Sequence, residues 1–361
     1  MRPRNRNRNR KRQWALRLVM MLALVVLAVP VSKKLDPTPK ELVAQRSHLA
    51  SRDRTTEPSR VDSASLLADV RTLADPAMQG RAVDTPGGRK ARDYLLQRFR
   101  DLELQPVGAS FEQAFSFTPG RGVRFWRAKF WEGRKSVSGV NLVGQIRGSV
   151  DPDSVIVVSA HYDHLGLRRG KLYPGADDNA SGVAAMLAIA AHFRANPPRH
   201  TLLFVAFDAE ESGLKGAFAF VENPPVPLQS MLVNVNFDMV SRNVDGEIFA
   251  SGLHANPQLR PMLDKVRAKS VATILYGHDK PGFYRAQEDW TMQSDQGAFH
   301  QRGIPFLYFG VADHDDYHSP GDTFEHIQPN FFISVTQALI DVMDALDAAD
   351  AAQLRRIAED S

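Results

Sequence analysis

The sequence predicts an α/β protein, a three-layer αβα sandwich around a mostly parallel mixed sheet. Three observations predict it. Short apolar runs of strand length recur from about residue 139 onward. Longer stretches with helical apolar spacing lie between them, the pattern of strand–helix–strand units. Acidic residues and histidines stand at the ends of the runs, and such sheets bind ligands beyond the carboxyl ends of their strands.

In chain order, residues 1–32 hold eight basic residues and no acidic one, ahead of "LVMMLALVVLAVPV", Leu18 to Val31. A basic flank before a short apolar run is the layout of an export signal. The run is shorter than the roughly 20 residues of a membrane span. Counted over residues 14–31, with Arg17 snorkelling, it makes a marginal anchor. Both readings, cleaved signal peptide and retained inner-membrane anchor, place the body outside the cytoplasm, in a periplasmic or other extracytoplasmic compartment. The sequence pI near 9.3 belongs to this tail: without it 37 basic residues face 41 acidic ones, which argues against a nucleic-acid partner.

Residues 33–62 are polar, without sustained periodicity, and read as a flexible linker. The main folded domain is expected over 63–349 and a short tail over 350–361. "SASLLADVRTLAD", with Asp62 or Ser63 as cap, and "GGRKARDYLLQRFRDLEL" predict amphipathic helices. Residues 110–140 read as strands and turns. Strands are then expected at "VNLVGQIRG", "SVIVVSAH", "TLLFVAFDAE", "MLVNVNFDMV" and "IPFLYFG". Helices are expected at "SGVAAMLAIAAHFRA", "GLKGAFAFVEN", "NPQLRPMLDKVRAKS" and "NFFISVTQALIDVMDALDAA".

The strand ends carry the chemistry. His161 and Asp163 follow the second strand, and Asp177 and Asp178 sit in a Gly-flanked loop. Glu210 and Glu211 follow the third strand, Asp238 lies late in the fourth, and Tyr317 and His318 follow the fifth. The chain has no cysteine, so disulfides and thiolate sites are excluded and any metal must be held by His, Asp or Glu. Two Zn²⁺ ions fit this inventory. His161, Asp238 and one oxygen of Asp178 would hold the first; Glu211, His318 and the other oxygen of Asp178 the second. Asp163 can accept the free N–H of His161. Glu210 is left over for proton transfer to and from water.

Together these motifs, His161-x-Asp163, Gly175-Ala-Asp-Asp178-Asn-Ala-Ser-Gly182, Glu210-Glu211-Ser-Gly213, Asp238 and Tyr317-His318 with Asp322-Thr323 behind, resemble the zinc aminopeptidases of peptidase family M28. The resemblance covers roughly residues 63–349. It implies that Asp178, rather than Asp177, bridges the metals, that the Asp178–Asn179 bond is cis, and that Tyr317 stabilises an oxyanion. It further implies a peptide substrate cut at its N-terminus.

The spacings leave no room for the inserted dimerisation domain of related carboxypeptidases, since Asp238 comes 27 positions after Glu211 and His318 comes 80 positions after Asp238. Gln296 stands where relatives often have His, which leaves the role of Asp295 open. Substrate-pocket residues are expected between Gly252 and Trp290, where Arg285 reads as structural rather than substrate-binding. Two rivals remain: a non-catalytic, receptor-like homologue, and a single-zinc glutaminyl cyclase. The complete set of five ligands favours the two-zinc enzyme.

Overall fold

The computed structural model describes residues 40–50, 59–118, 136–280 and 289–355. The chain falls into two compact units, Met1–Ala44 and Gln45–Ser361, and the sheet and the site belong to the second. The expected targeting segment, residues 1–32, lies outside the described residues, as does Arg285. Among the described residues no helix is long and apolar enough to cross a membrane.

The central sheet has nine strands. In chain order they are β1 (Gln105–Pro106), β2 (Glu112–Phe117), β3 (Val137–Ile146), β4 (Asp151–His161), β7 (His200–Phe207), β8 (Met231–Phe237), β9 (Glu247–Ser251), β10 (Thr273–Tyr276) and β11 (Phe306–Gly310); β5 (Gly166–Arg168) and β6 (Lys171–Tyr173) form a separate hairpin. The spatial order is β1-β3-β7-β4-β8-β11-β9-β10, with β2 also on β3. The middle strands β7, β4, β8 and β11 run parallel, while β3 and β9 join them antiparallel. From β4 the chain crosses first to β7 on one side and then to β8 on the other. That reversal is the switch point where α/β sheets open a crevice.

Strand alternation builds two cores. Ile156, Val158 and Ala160 of β4 and Leu202, Phe204 and Ala206 of β7 join the larger one. It also holds residues of helices α2 (Ser63–Leu73), α3 (Pro86–Asp101), α4 (Gly182–Ala195) and α8 (Pro329–Asp347). The alternate residues Val155, Val157, Leu203, Val205 and Phe207 pack on Phe220 of α5 (Lys215–Glu222) and Phe299 of α7 (Gln296–Gln301). Three aromatic rings, Phe207, Phe220 and Phe299, meet there at centroid distances of 5.6 to 6.2 Å. Strands buried on both faces read as continuous apolar runs, which is why β4, β7 and β8 were visible in the sequence.

The edges depart from expectation. The stretch read as a linker carries helix α1 (Lys40–Ala50). Its Gln45 side chain exchanges two hydrogen bonds of 3.0 Å with the backbone of Tyr276, so it satisfies part of the open edge of β10. Arg46 pairs with Glu247 through two hydrogen bonds. The expected tail begins with a helical turn, Ala351–Leu354, closed by a capping box between Asp350 and Gln353 and anchored by the buried Leu354.

Candidate metal centre

The strand register brings the acidic and imidazole groups together. In the β4–β7 pairing His161 stands opposite Phe207, so the segment after β7 turns over the end of β4. Asp208 secures that turn, accepting the N–H groups of Val140 (3.0 Å) and Ala209 (2.9 Å). Burial, then the Asp163 charge, raise its pKa to about 8. Ala209 itself sits at φ 59°, next to Glu210; Met239, after Asp238, has φ 60°, and His318 has φ 53°. Left-handed backbone at non-glycine residues is costly, and it clusters where side chains must be aimed for function.

Five of the expected residues form two groups that share one carboxylate. His161 Nε2 lies 3.3 Å from Asp238 Oδ1 and 3.4 Å from Asp178 Oδ1. His318 Nε2 lies 3.0 Å from Asp178 Oδ2 and 3.1 Å from Glu211 Oε1. The two oxygens of Asp178 thus face different partners. Donors around a tetrahedral zinc, bound at about 2.0–2.1 Å, lie about 3.3 Å from one another. The observed separations match that spacing, so the residues fit the ion.

Asp163 does two things. Its backbone carbonyl, 3.1 Å from His161 Nδ1, is closer to the ring than its carboxylate, at 3.7 Å. The carboxylate instead accepts the Glu210 N–H at 2.9 Å. The His161 orientation expected from the Asp163 side chain is therefore supplied mainly by its main chain. Glu210 lines the cleft together with Asp178, Asp238, Tyr317 and His318, and Trp290, Tyr308 and Met239 form an apolar wall beside them.

The electrostatics follow from crowding. Burial opposes the charged form of His318, but Glu211 and Asp178 outweigh it and lift the imidazole to about 11. For His161 the same contest against burial is won by Asp238 and Glu210, and its pKa is raised well above the usual histidine range. Burial also favours a neutral Glu211, yet His318 and His164 hold it well below the ordinary glutamate range. Glu210 goes the other way: burial, with the Glu211 and Asp238 charges adding to it against the counterpull of His161, raises it strongly. Two adjacent glutamates are thus pushed in opposite directions by their surroundings. Burial and the surrounding carboxylates raise Tyr317 far above the ordinary phenol, so it keeps its O–H as a donor.

The geometry separates Asp177 from Asp178. Asp177 Oδ1 accepts the Ser241 N–H (2.8 Å) and hydroxyl (2.7 Å), and Oδ2 meets His314 Nε2 at 3.1 Å. Its carboxylate is thus occupied away from the cluster. The peptide bond Asp178–Asn179 is cis.

Further residues support the cluster from outside it, and of these Arg81 was not singled out in the sequence. Asp322 accepts the backbone N–H groups of both Asp177 and Asp178. The fully buried Arg81 donates to the carbonyls of Leu73, Tyr162, Pro174 and Gly175, tying together the loops on either side of the cluster. Gln296 accepts from Asn236 Nδ2 (3.1 Å) and donates to the Trp290 carbonyl (2.6 Å), which makes it a strut between β8 and the cleft wall. Its neighbour Asp295 is fully buried, with both carboxylate oxygens lacking a hydrogen-bond partner among the described residues.

The family model for peptidase family M28 matches residues 141–343, more than half of the chain. The chain belongs to peptidase family M28. It is 32% identical over 183 residues to Aminopeptidase YwaD of Bacillus subtilis, an overlap of 49% of this chain and 37% of that protein. The M28 chain therefore matches well under half the length of that relative. Among solved structures it is similar to BSAP, a zinc aminopeptidase from Bacillus subtilis, with TM-score 0.61, 17% identity, and coverage of 84% of this chain and 99% of that one. It is also similar to the glutaminyl cyclase of Porphyromonas gingivalis, with TM-score 0.61, 17% identity, and coverage of 80% and 99%. At such identities these structures show the fold. The M28 matched region, 141–343, includes every residue of the two groups described above.

Proposed function

We propose that this chain is an exported two-zinc exopeptidase that releases N-terminal residues from peptides. The observation that carries the proposal is the split of Asp178, with one oxygen toward His161 and the other toward His318 and Glu211. In this reading His161, Asp238 and Asp178 hold one Zn²⁺, and Glu211, His318 and Asp178 hold the other. Zinc supplies Lewis acidity for a carbonyl oxygen and makes water more acidic.

The chain's own groups do the rest. A Glu210 carboxylate oxygen takes the proton of the attacking water and passes it to the leaving amine nitrogen. Burial and the neighbouring carboxylates push its pKa above the ordinary glutamate range, the direction that makes it a stronger base. Tyr317 donates its O–H to the carbonyl oxygen as negative charge develops there. Asp163 sets the position of Glu210 through the main-chain N–H. The cleft wall of Trp290, Tyr308 and Met239 keeps bulk water off the scissile bond.

A panel of aminoacyl and N-blocked peptide substrates tests the reading. Hydrolysis of free N-terminal substrates, abolished by chelator and restored by zinc, is the expected result. Cyclisation of N-terminal glutamine without hydrolysis would favour the glutaminyl cyclase chemistry of the similar fold. The export part rests on the sequence of residues 1–32: a reporter fused after residue 62 is expected outside the cytoplasmic membrane.

A further inference from the structure

We propose that His164 is an additional metal ligand, its Nδ1 completing a four-donor site with Asp178, Glu211 and His318. The inference rests on the zinc reading above and adds a residue to it. His164 lies in the turn after β4, three residues past His161, and its side chain is fully buried. Its Nδ1 is 3.1 Å from Glu211 Oε1 and 3.6 Å from Asp178 Oδ2. Those are the two oxygens that His318 Nε2 meets at 3.1 and 3.0 Å. The two imidazoles, with ring centroids 5.9 Å apart and planes tilted by 58°, approach the same pair of oxygens from different directions. Four separations between 3.0 and 3.6 Å bracket the edge expected of a tetrahedral zinc site, about 3.3 Å.

A packing role explains these facts less well. Buried polar groups almost always find hydrogen-bond partners. Neither ring nitrogen of His164 has one among the described residues, although Nδ1 stands within reach of two carboxylates. The contact has the distance of neighbouring ligands without the alignment of a hydrogen bond. The fold also makes room for this ring. Gly175 has φ +63°, and a Cβ there would fall 2.5 Å from His164 Cγ and 2.1 Å from the Asp178 carbonyl. The glycine ahead of the bridging loop thus seats the imidazole against the Asp178 segment. With four protein donors this position is more closed than the His161 position, which has three. A closed four-donor set is typical of tightly held zinc, and an open one of zinc that also meets water and substrate.

Zinc affinity, read by chelator competition on the full chain, tests this. Wild type is expected to bind two equivalents. In His164→Gln and His164→Ala one equivalent is expected to weaken by at least about tenfold while the other stays within about twofold. Both equivalents unchanged in a folded variant would overturn the inference and leave the zinc reading standing. Wild type that takes up no zinc would instead remove the reading beneath it. Zinc X-ray absorption of the unsubstituted protein does not depend on whether the variants fold. Three imidazoles shared by two zinc ions are expected, and two would overturn the assignment.

Discussion

Asp322 holds Asp178 from behind: its Oδ2 accepts the Asp178 N–H at 3.0 Å, while Oδ1 accepts the Asp177 N–H at 2.8 Å. The backbone that presents the shared carboxylate is thereby pinned by a residue 144 positions later. Asp322→Ala is expected to weaken zinc binding by about 10- to 100-fold, the usual effect of losing a partner that orients a ligand. Asp322→Asn, which keeps one acceptor oxygen, should fall between. Chelator competition measures both, and unchanged affinity in the alanine variant would contradict the pinning role.

Glu210 and Glu211 are expected to fail differently. Glu210→Gln keeps the shape of the side chain and removes the base, so zinc content should stay at its wild-type value while turnover drops by about 10²–10⁴ or more. Glu211→Gln should lose zinc and recover part of its activity as zinc is added. A zinc titration with turnover read at each point distinguishes them. Rescue of Glu210→Gln by zinc would mean the roles are reversed.

Asp208 gives the chelated protein a pH-dependent stability. Its folded pKa of about 8 stands above its unfolded value of about 3.9, so the folded state binds the proton more tightly. The contribution is fully present below the unfolded pKa and is lost as pH rises through about 8. Each unit of pKa difference corresponds to about 1.4 kcal/mol. Asp208→Asn, which has no carboxyl to titrate, should show a shallower loss of stability across that window. Denaturant melts at several pH values measure it, and identical slopes in both proteins would refute the assignment.

The central strands and the acidic and histidine motifs at their ends were legible because their signals are local. A doubly buried strand such as β7 must be apolar from end to end, and the acids that follow it stand out by contrast. Asp322 stood within a noted motif but without an assigned role, and Arg81 and His164 were not singled out. Their roles depend on partners far away in sequence: His164 meets Glu211 and Arg81 meets Gly175, and no periodicity encodes those encounters. The short strands β9 and β10, at one end of the sheet, escaped for a related reason. They are five and four residues long, too brief for a pattern, and gain their partners only from the assembled sheet. Helix α1 lacks an apolar stripe, and the described contacts of Gln45 and Arg46 are polar ones, which hydropathy cannot report. The choice between Asp177 and Asp178 needed the Ser241 and His314 contacts, although the family resemblance had already indicated the second.

Zinc stoichiometry across three proteins tests the shared carboxylate most directly. Elemental analysis at saturating zinc should give two equivalents for wild type and one for Asp238→Asn, which touches only the His161 group. Asp178→Asn should weaken both positions, because each group uses one of its oxygens. One equivalent in wild type, or two retained by Asp178→Asn, would contradict the account.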